Sequence, residues 1–434
     1  MIIHTVKQGQ SVVMIAREYG VPVSRIITDN FLSDPGKLTV GEDLIIRFPS
    51  VSYTVKGGDT LFGIADAYGV TVNSLYRNNP FLNGSPAIVP GQVITVVGED
   101  PLYNRQVSLN GYVYPFIDRT VLRRTLPYLT YLSIFTYGIR ADGSLISPAG
   151  SDEELIRIAG EYGTIPLLML TSLTDEGKFS NELVSRILND TELGDRVIEN
   201  IIEILESHSY GGIDVDFEYI GAEGKDAYVE FLKRLSEALD GRFLLFVSLA
   251  PKSRADQMGI LYEGHDYRAI GEIADKTLVM TYEWGYTFGP PNAVSPIPEV
   301  KRVLDYAVSE IPRDKILSGI PNYGYDWPLP YVKGETKAQT LTNTEAVEQA
   351  YEKQAEIRYD EVKSAPNYNY YDRPTSFDDA VEHIVWFENA RSCDALLRLI
   401  NEYDIAGSGV WNIMNYFPAL WLTANAQFNI KKAE

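Results

Sequence analysis

Three acids spaced two residues apart, Asp214, Asp216 and Glu218, stand in the run Gly211-Gly212-Ile213-Asp214-Val215-Asp216-Phe217-Glu218-Tyr219-Ile220. With the two-residue period of a β-strand they share one face, and Ile213, Val215, Phe217 and Tyr219 share the other. Helical patterns flank the run and apolar strands precede and follow it, a setting in which a strand is normally covered on both sides. Carboxylates crowded into a covered interior repel one another and lose hydration. Some of their pKa values must rise, which keeps a general acid protonated near neutral pH. The same residues could also read as a metal site or an ordinary acidic strand. A calcium loop, however, needs a glycine-bearing turn and carbonyl ligands rather than Val and Phe between the acids. A solvated edge strand would avoid the bulky apolar alternation. Acid–base catalysis is the chemistry this spacing favours.

The elements that must position these acids recur at helix-sized intervals. Apolar strands are predicted at 111–116, 131–137, 165–170, 211–220, 243–249, 277–282, 316–321 and 409–414, with helical stretches such as 193–208 and 226–239 between them. Eight strands alternating with helices predict an α/β fold, a (β/α)8 TIM barrel, over residues 106–434. Glu218 then falls at the C-terminal end of the fourth strand, the rim where barrel active sites are built, with Asp216 and Asp214 progressively deeper. The interval 328–380, rich in Tyr, Asn and Asp, reads as an insertion after strand 7 that walls one side of this mouth.

Ahead of the barrel one unit occurs twice. His4-Thr5-Val6-Lys7-Gln8-Gly9 answers Tyr53-Thr54-Val55-Lys56-Gly57-Gly58, Ile15-Ala16 answers Ile64-Ala65, Tyr19-Gly20-Val21 answers Tyr68-Gly69-Val70, and Asn30 answers Asn79. Each copy (1–48 and 50–98) predicts a βααβ unit with its first helix ended by glycine. A linker, 99–105, follows. Two copies are too few for a solenoid. They are expected to be independent modules, whose removal leaves the barrel's turnover of small soluble fragments nearly unchanged.

Composition narrows the partners. The net charge is −21, yet residues 1–98 carry as many basic as acidic side chains, so the whole excess lies after residue 98. A chain without a basic face is a poor partner for nucleic acid. The single cysteine, Cys393, excludes an internal disulfide, and four scattered histidines show no zinc spacing, so no metal and no cofactor are expected. The start, Met1-Ile2-Ile3-His4-Thr5, has neither a basic n-region nor a long apolar run. No secretory signal and no membrane partner are expected.

The repeats resemble LysM domains, the second more fully (Asp59-Thr60-Leu61, Pro90-Gly91-Gln92) than the first (Gln10-Ser11-Val12, Val40-Gly41). That resemblance implies binding of N-acetylglucosamine-containing glycans such as peptidoglycan. Asp-x-Asp-x-Glu after Gly-Gly-Ile on a fourth strand resembles the signature of glycoside hydrolase family 18, whose members are substrate-assisted exceptions to the two-carboxylate scheme. The resemblance implies Glu218 as acid and base, Asp216 and Asp214 as its supporting carboxyls, and Tyr282 as the hydroxyl that aligns the sugar's 2-acetamido group. It also implies sugar contacts from Glu283, Trp284, Trp411, Asn322, Tyr323 and Tyr112. Glu283 departs from the Asp usual in the strand-six motif. Together with the repeats, these motifs are similar to those of spore-germination glycosylases. That likeness implies a retaining N-acetylglucosaminidase that hydrolyses cortex peptidoglycan, in which many muramic residues are δ-lactams. It also implies deposition on the spore from the mother-cell cytoplasm. A chitinase or endo-N-acetylglucosaminidase acting on other polymers is the competing enzyme, and a non-catalytic glycan-binding protein is the competing class.

Overall fold

The computed structural model of the chain describes residues 1–373 and 380–433. Eight parallel strands form the barrel: β1 (Gln106–Val113), β2 (Tyr131–Ile139), β3 (Ile165–Thr171), β4 (Gly212–Asp216), β5 (Leu244–Leu249), β6 (Lys276–Val279), β7 (Ile316–Pro321) and β8 (Gly407–Trp411). β1 pairs with both β2 and β8, which closes the sheet. The (β/α)8 expectation is borne out. Tyr112, Leu167, Met169, Phe246, Leu278 and Leu317 pack inside, while Ile213, Val215 and Val247 belong to the core that the surrounding helices share. Burying one such aliphatic side chain is worth about 1.5–3 kcal/mol. A one-residue slip of β4 would therefore drive its acids under the helices, and the alternation holds Asp214 in the interior.

The helices on either side of β4 are capped by local chemistry. In the helix Thr191–His208, the Asp190 side chain accepts from the Leu193 N–H, and Ser209 ends it in the left-handed region at φ 60°. The helix Lys225–Leu239 buries Tyr228, Phe231, Leu232 and Leu235 on one side.

Several apolar runs overshoot their strands. Pairing stops at Val113, Asp216, Val279 and Trp411, so 114–116, 217–220, 280–282 and 412–414 lie beyond the strand ends. Some of these residues are buried all the same: Phe217 and Ile413 lie outside any strand but belong to the core that the helices share. Hydrophobicity reports burial and not pairing, so it misplaced these boundaries.

The insertion after β7 is a subdomain of its own. Strands Gly324–Pro328, Gln339–Leu341, Arg358–Asp360, Ala365–Asp372 and Val381–Trp386 form a five-stranded antiparallel sheet, with the helix Asn343–Glu352 against it. It reaches beyond 328–380 at both ends, because Tyr325–Pro328 pairs antiparallel with His383–Trp386. Residues 374–379 of the expected insertion lie outside the described residues.

Both repeats fold as βααβ units: strands Ile2–Thr5 and Asp43–Ile46 flank helices Val12–Tyr19 and Val23–Asn30, and strands Val51–Thr54 and Val93–Val97 flank Leu61–Tyr68 and Val72–Asn78. The repeated asparagine explains itself. Asn30 Nδ2 donates to the carbonyls of Ile26 and Ile45, both at 2.9 Å, and its Oδ1 accepts from the Ile45 N–H at 2.7 Å. Asn79 ties Leu75 to Thr95 in the same way. The departure at Gln10 is compensated, because its Oε1 accepts from the Lys7 N–H at 2.8 Å, the bond that Asp59 makes to Lys56 at 2.7 Å.

The modules are not independent, contrary to the sequence expectation. Arg47 is buried, pairs with Asp29 through two bonds of 3.0 and 2.8 Å, and donates to the Asn78 carbonyl of the second repeat at 2.9 Å. Arg77 in turn donates to the Pro127 carbonyl at 3.0 Å and to Asn425 Oδ1 at 2.8 Å, both in the barrel. The apolar core of the second repeat is continuous with that of the barrel. Period-2 and period-3.6 patterns identify what each repeat buries internally, but they are silent on the faces that repeats and barrel share.

Arg47→Ala should destabilise the assembly by about 3 kcal/mol, because removing one partner leaves a buried charge under-compensated. Arg25, 2.7 Å from Asp29, keeps the cost at the lower end. Denaturant titration measures it, and an unchanged midpoint would mean that the contact carries no weight. Deleting residues 1–98 should lower the thermal midpoint of the remaining barrel; a midpoint equal to that of the full chain would restore the picture of independent modules.

Candidate active site

The acid column begins at Asp214, fully buried in the barrel interior. Its Oδ2 accepts from Tyr112 Oη at 2.9 Å and Ser133 Oγ at 2.8 Å, and its Oδ1 from Ser248 Oγ at 3.3 Å. Three strands, β1, β2 and β5, thus supply one donor each. Burial raises the Asp214 pKa and the three hydroxyls oppose that rise. Asp216, at the end of β4, has no such help: its buried Oδ1 has no hydrogen-bond partner among the described residues. Burial, and then the charges of Glu218 and Asp214, push its pKa well above the carboxylate range. Glu218 lies two residues past the end of β4, and burial raises its pKa as well.

The backbone around Glu218 is constrained from both sides. Tyr219 follows in the left-handed region at φ 55°, a conformation that costs a side-chain-bearing residue about 1–2 kcal/mol. Between the two acids, the Phe217 carbonyl lies 3.0 Å from His265 Nε2. The Ala250 N–H donates to His265 Nδ1 at 2.9 Å, which assigns the proton to Nε2. Burial holds the His265 pKa down at about 4, so the ring is neutral while it positions the peptide between the acids.

Tyr282, past the end of β6, completes the group. Burial raises its pKa well above the phenol value, and the nearby charges of Asp216, Glu218, Glu283 and Asp214 add to the rise. Its ring lies against Gly319 of β7, where a Cβ would stand 2.6 Å from Tyr282 Cε1, so glycine is required there. Glu283 follows at φ 69° and accepts hydrogen bonds from Tyr323 Oη and, at 3.0 Å, Tyr325 Oη. A cavity of about 430 Å3 brings together Glu283, Asn322, Tyr323 and Trp411.

The other expected sugar contacts are placed differently. Tyr112 is buried beneath Trp411, with ring centroids 5.6 Å apart, and spends its hydroxyl on Asp214. Trp284 packs against the outer hydrophobic core, one residue past the left-handed turn, and is not brought to the cavity. Asn322 lines the cavity but commits its amide to the carbonyls of Asn412 (2.9 Å) and Asn415 (3.0 Å). Sequence reasoning missed Ser133, Ser248, His265 and Tyr325. The two serines carry a readable signal, being polar residues within apolar strands. His265 carries none. An aromatic row also went unread: Phe116 stacks on Tyr114 at 5.3 Å, Tyr114 meets Phe135 at 4.8 Å, and Phe135 meets Trp411 at 5.4 Å.

The charge buried at Asp216 has a measurable sign. A carboxyl whose folded pKa lies above the unfolded value, about 3.9, binds its proton more tightly when folded. Stability is then lost as pH rises from the unfolded through the folded pKa. Asp216→Asn removes this loss, so the variant should be more stable than the parent at pH 8, with the advantage shrinking toward pH 4. Calorimetric midpoints at the two pH values test this; a variant destabilised at pH 8 would mean that the carboxylate is stabilised in place.

Comparison with known proteins fits this geometry. Residues 169–415 match the glycosyl hydrolases family 18, and residues 4–47 and 53–97 match the LysM domain. The chain is 35% identical over 430 residues to the cortical fragment-lytic enzyme of Bacillus anthracis, covering 99% of this chain and 98% of that one. It is 31% identical to a putative sporulation-specific glycosylase, YdhD, of Bacillus subtilis (strain 168), over the full length of both. The crystal structure of the Bacillus cereus spore cortex-lytic enzyme SleL superimposes with a TM-score of 0.83 at 36% identity, over 100% of this chain and 99% of that one. By its site, its fold and these matches, the chain belongs to glycoside hydrolase family 18 and carries two LysM domains ahead of the barrel.

Proposed function

We propose that this protein is a retaining, substrate-assisted N-acetylglucosaminidase that hydrolyses spore cortex peptidoglycan during germination, held on the polymer by its LysM domains. The observation that carries the reading is the unpartnered, buried Oδ1 of Asp216 beside Glu218. A sugar 2-acetamido N–H would satisfy that oxygen, and its carbonyl oxygen would then attack C1 to give a bicyclic oxazolinium. Glu218, whose pKa burial raises, would donate to the departing glycosidic oxygen and afterwards take a proton from the incoming water. Tyr282 would hydrogen-bond the acetamido oxygen and align it. Asp214, already saturated by three hydroxyls, would keep Asp216 in place and share in its titration. Relatives named for cortical fragments and spore cortex support the choice of polymer. Deposition on the spore would bring the protein to that polymer at germination.

Glu218→Gln should retain the fold and lower kcat on cortex fragments by about 10²–10⁴, the usual contribution of a general acid–base. It should also abolish the alkaline limb of kcat/KM, because that limb is the loss of the Glu218 proton. A variant with near-parental turnover would remove Glu218 from the reaction.

The bond cut follows from the mechanism. A muramic δ-lactam ties up the 2-nitrogen and offers no acetyl carbonyl, so N-acetylglucosamine must sit beside Glu218. New reducing ends should be N-acetylglucosamine with the β-configuration retained, and oxazoline-mimicking thiazolines should inhibit strongly. Mass spectrometry showing muramic termini, or NMR showing an inverted anomer, would overturn substrate assistance. Turnover of chitin oligomers without turnover of cortex fragments would favour a chitinase instead.

A further inference from the structure

A second cavity, of about 470 Å3, lies between the first LysM repeat, the inserted subdomain and the start of the helix Ala390–Glu402. Its walls come from three distant parts of the chain: Asn30, Thr39 and Asp43 of the repeat; Asn343 and Tyr351 of the subdomain helix; Glu388 and Tyr416 of the barrel. The repeat is pressed onto the subdomain backbone to backbone, because the Ile357 N–H donates to the Val40 carbonyl at 3.0 Å and a Cβ at Gly41 would stand 1.8 Å from the Ile357 carbonyl oxygen.

Two features indicate that this space is built to hold something polar. Glu388 is 1% exposed, yet its Oε1 has no hydrogen-bond partner among the described residues, and a buried polar group is normally satisfied. Burial pushes its pKa up to about 8 and that of Glu42, on the same wall, up to about 7. Both carboxyls thus hold a proton more readily than solvated ones, and amides and hydroxyls stand beside aromatic faces on the same walls. Such groups suit an uncharged polyhydroxyl ligand better than a cation.

The cavity also adjoins the rim cavity that holds Glu283 and Trp411. Thr342, Glu345 and Asn415 line that rim cavity, while Asn343, Thr344 and Tyr416 line the second cavity. Adjacent residues are only about 3.8 Å apart along the chain. A hydrogen-bond chain runs between the two: the Glu388 N–H donates to Asn343 Oδ1 at 2.9 Å, Asn343 Nδ2 to Asn322 Oδ1 at 3.3 Å, and Asn322 Nδ2 to the Asn415 carbonyl at 3.0 Å.

We propose that the cavity between the first LysM repeat and the inserted subdomain is a distal sugar-binding site for the same glycan strand that is cut at Glu218. The repeat then extends the catalytic cleft instead of tethering the enzyme from elsewhere. This rests on the glycosidase reading above.

The test uses the full chain carrying Glu218→Gln, titrated calorimetrically with β-1,4-linked N-acetylglucosamine oligomers of two, four, six and eight units. Affinity should rise at least tenfold between tetramer and octamer, once the ligand outgrows the mouth. Tyr351→Ala, at an exposed wall residue, and the nearly isosteric Glu388→Gln should each reduce the ratio of octamer to dimer affinity by fivefold or more. A misfolded variant would show itself as a lowered thermal midpoint, and the Tyr351 change, at a residue 41% exposed, keeps the test valid if Glu388→Gln is unstable. Equal affinity for tetramer and octamer, or an unchanged ratio in a folded variant, would overturn the site. Failure of the glycosidase reading is distinguishable, since the unsubstituted enzyme would then turn over none of the oligomers or cortex fragments.

Discussion

Everything at the mouth of this barrel depends on a carboxyl kept away from water without a partner. Asp214 can sit in the interior because Tyr112, Ser133 and Ser248 each turn a hydroxyl toward it. Asp216, next along the strand, finds its Oδ1 unpaired between two further acids. An arrangement of that kind costs stability, since a buried polar group without a hydrogen bond is penalised by about 1–3 kcal/mol. It persists because the closed sheet over-determines the register of β4: neighbours on both sides pair with it, and Ile213 and Val215 are locked under the helices. The barrel is the device that holds three acids in a column, and the family chemistry uses the result.

Around that column the rim is stiffened at its least regular points. Both Glu218 and Tyr282 are followed by residues in the left-handed region, Tyr219 and Glu283. Neither position is glycine, so the conformation must be imposed by surroundings. At one, His265 holds the Phe217 carbonyl; at the other, Tyr323 and Tyr325 grip the Glu283 carboxylate. A mouth built this way is preorganised, as the proposed alignment of an acetamido group for attack on its own C1 would require.

The LysM repeats take part in the same rigidity. Arg47 and Arg77 pass from repeat to repeat to barrel, each donating to backbone carbonyls of the next element. The first repeat also abuts the inserted subdomain. A glycan seized by a tethered module could approach the cleft from any direction. In the proposed reading, a module fixed beside the mouth would restrict the strand to one path and so reduce the ordering entropy of a productive complex.

Much of this could be read from local pattern. The two-residue spacing of Asp214, Asp216 and Glu218 placed them on one face, the strand–helix rhythm predicted the barrel, and the 49-residue offset from Thr5 to Thr54 identified the repeats. Periodicity carries that information because it reports which side of an element is buried, and each element reports it independently. What tertiary closure decided lies between elements distant in the chain. It brought Ser133 and Ser248 under Asp214, His265 under Phe217, and the first repeat against the insertion. It also turned Trp284 outward and gave the amide of Asn322 to its own rim. The serines announce only that they are polar within apolar strands; which partner each of these residues meets has no local signature, because a hydrogen bond across a barrel or a shared apolar face exists only once both partners are in place.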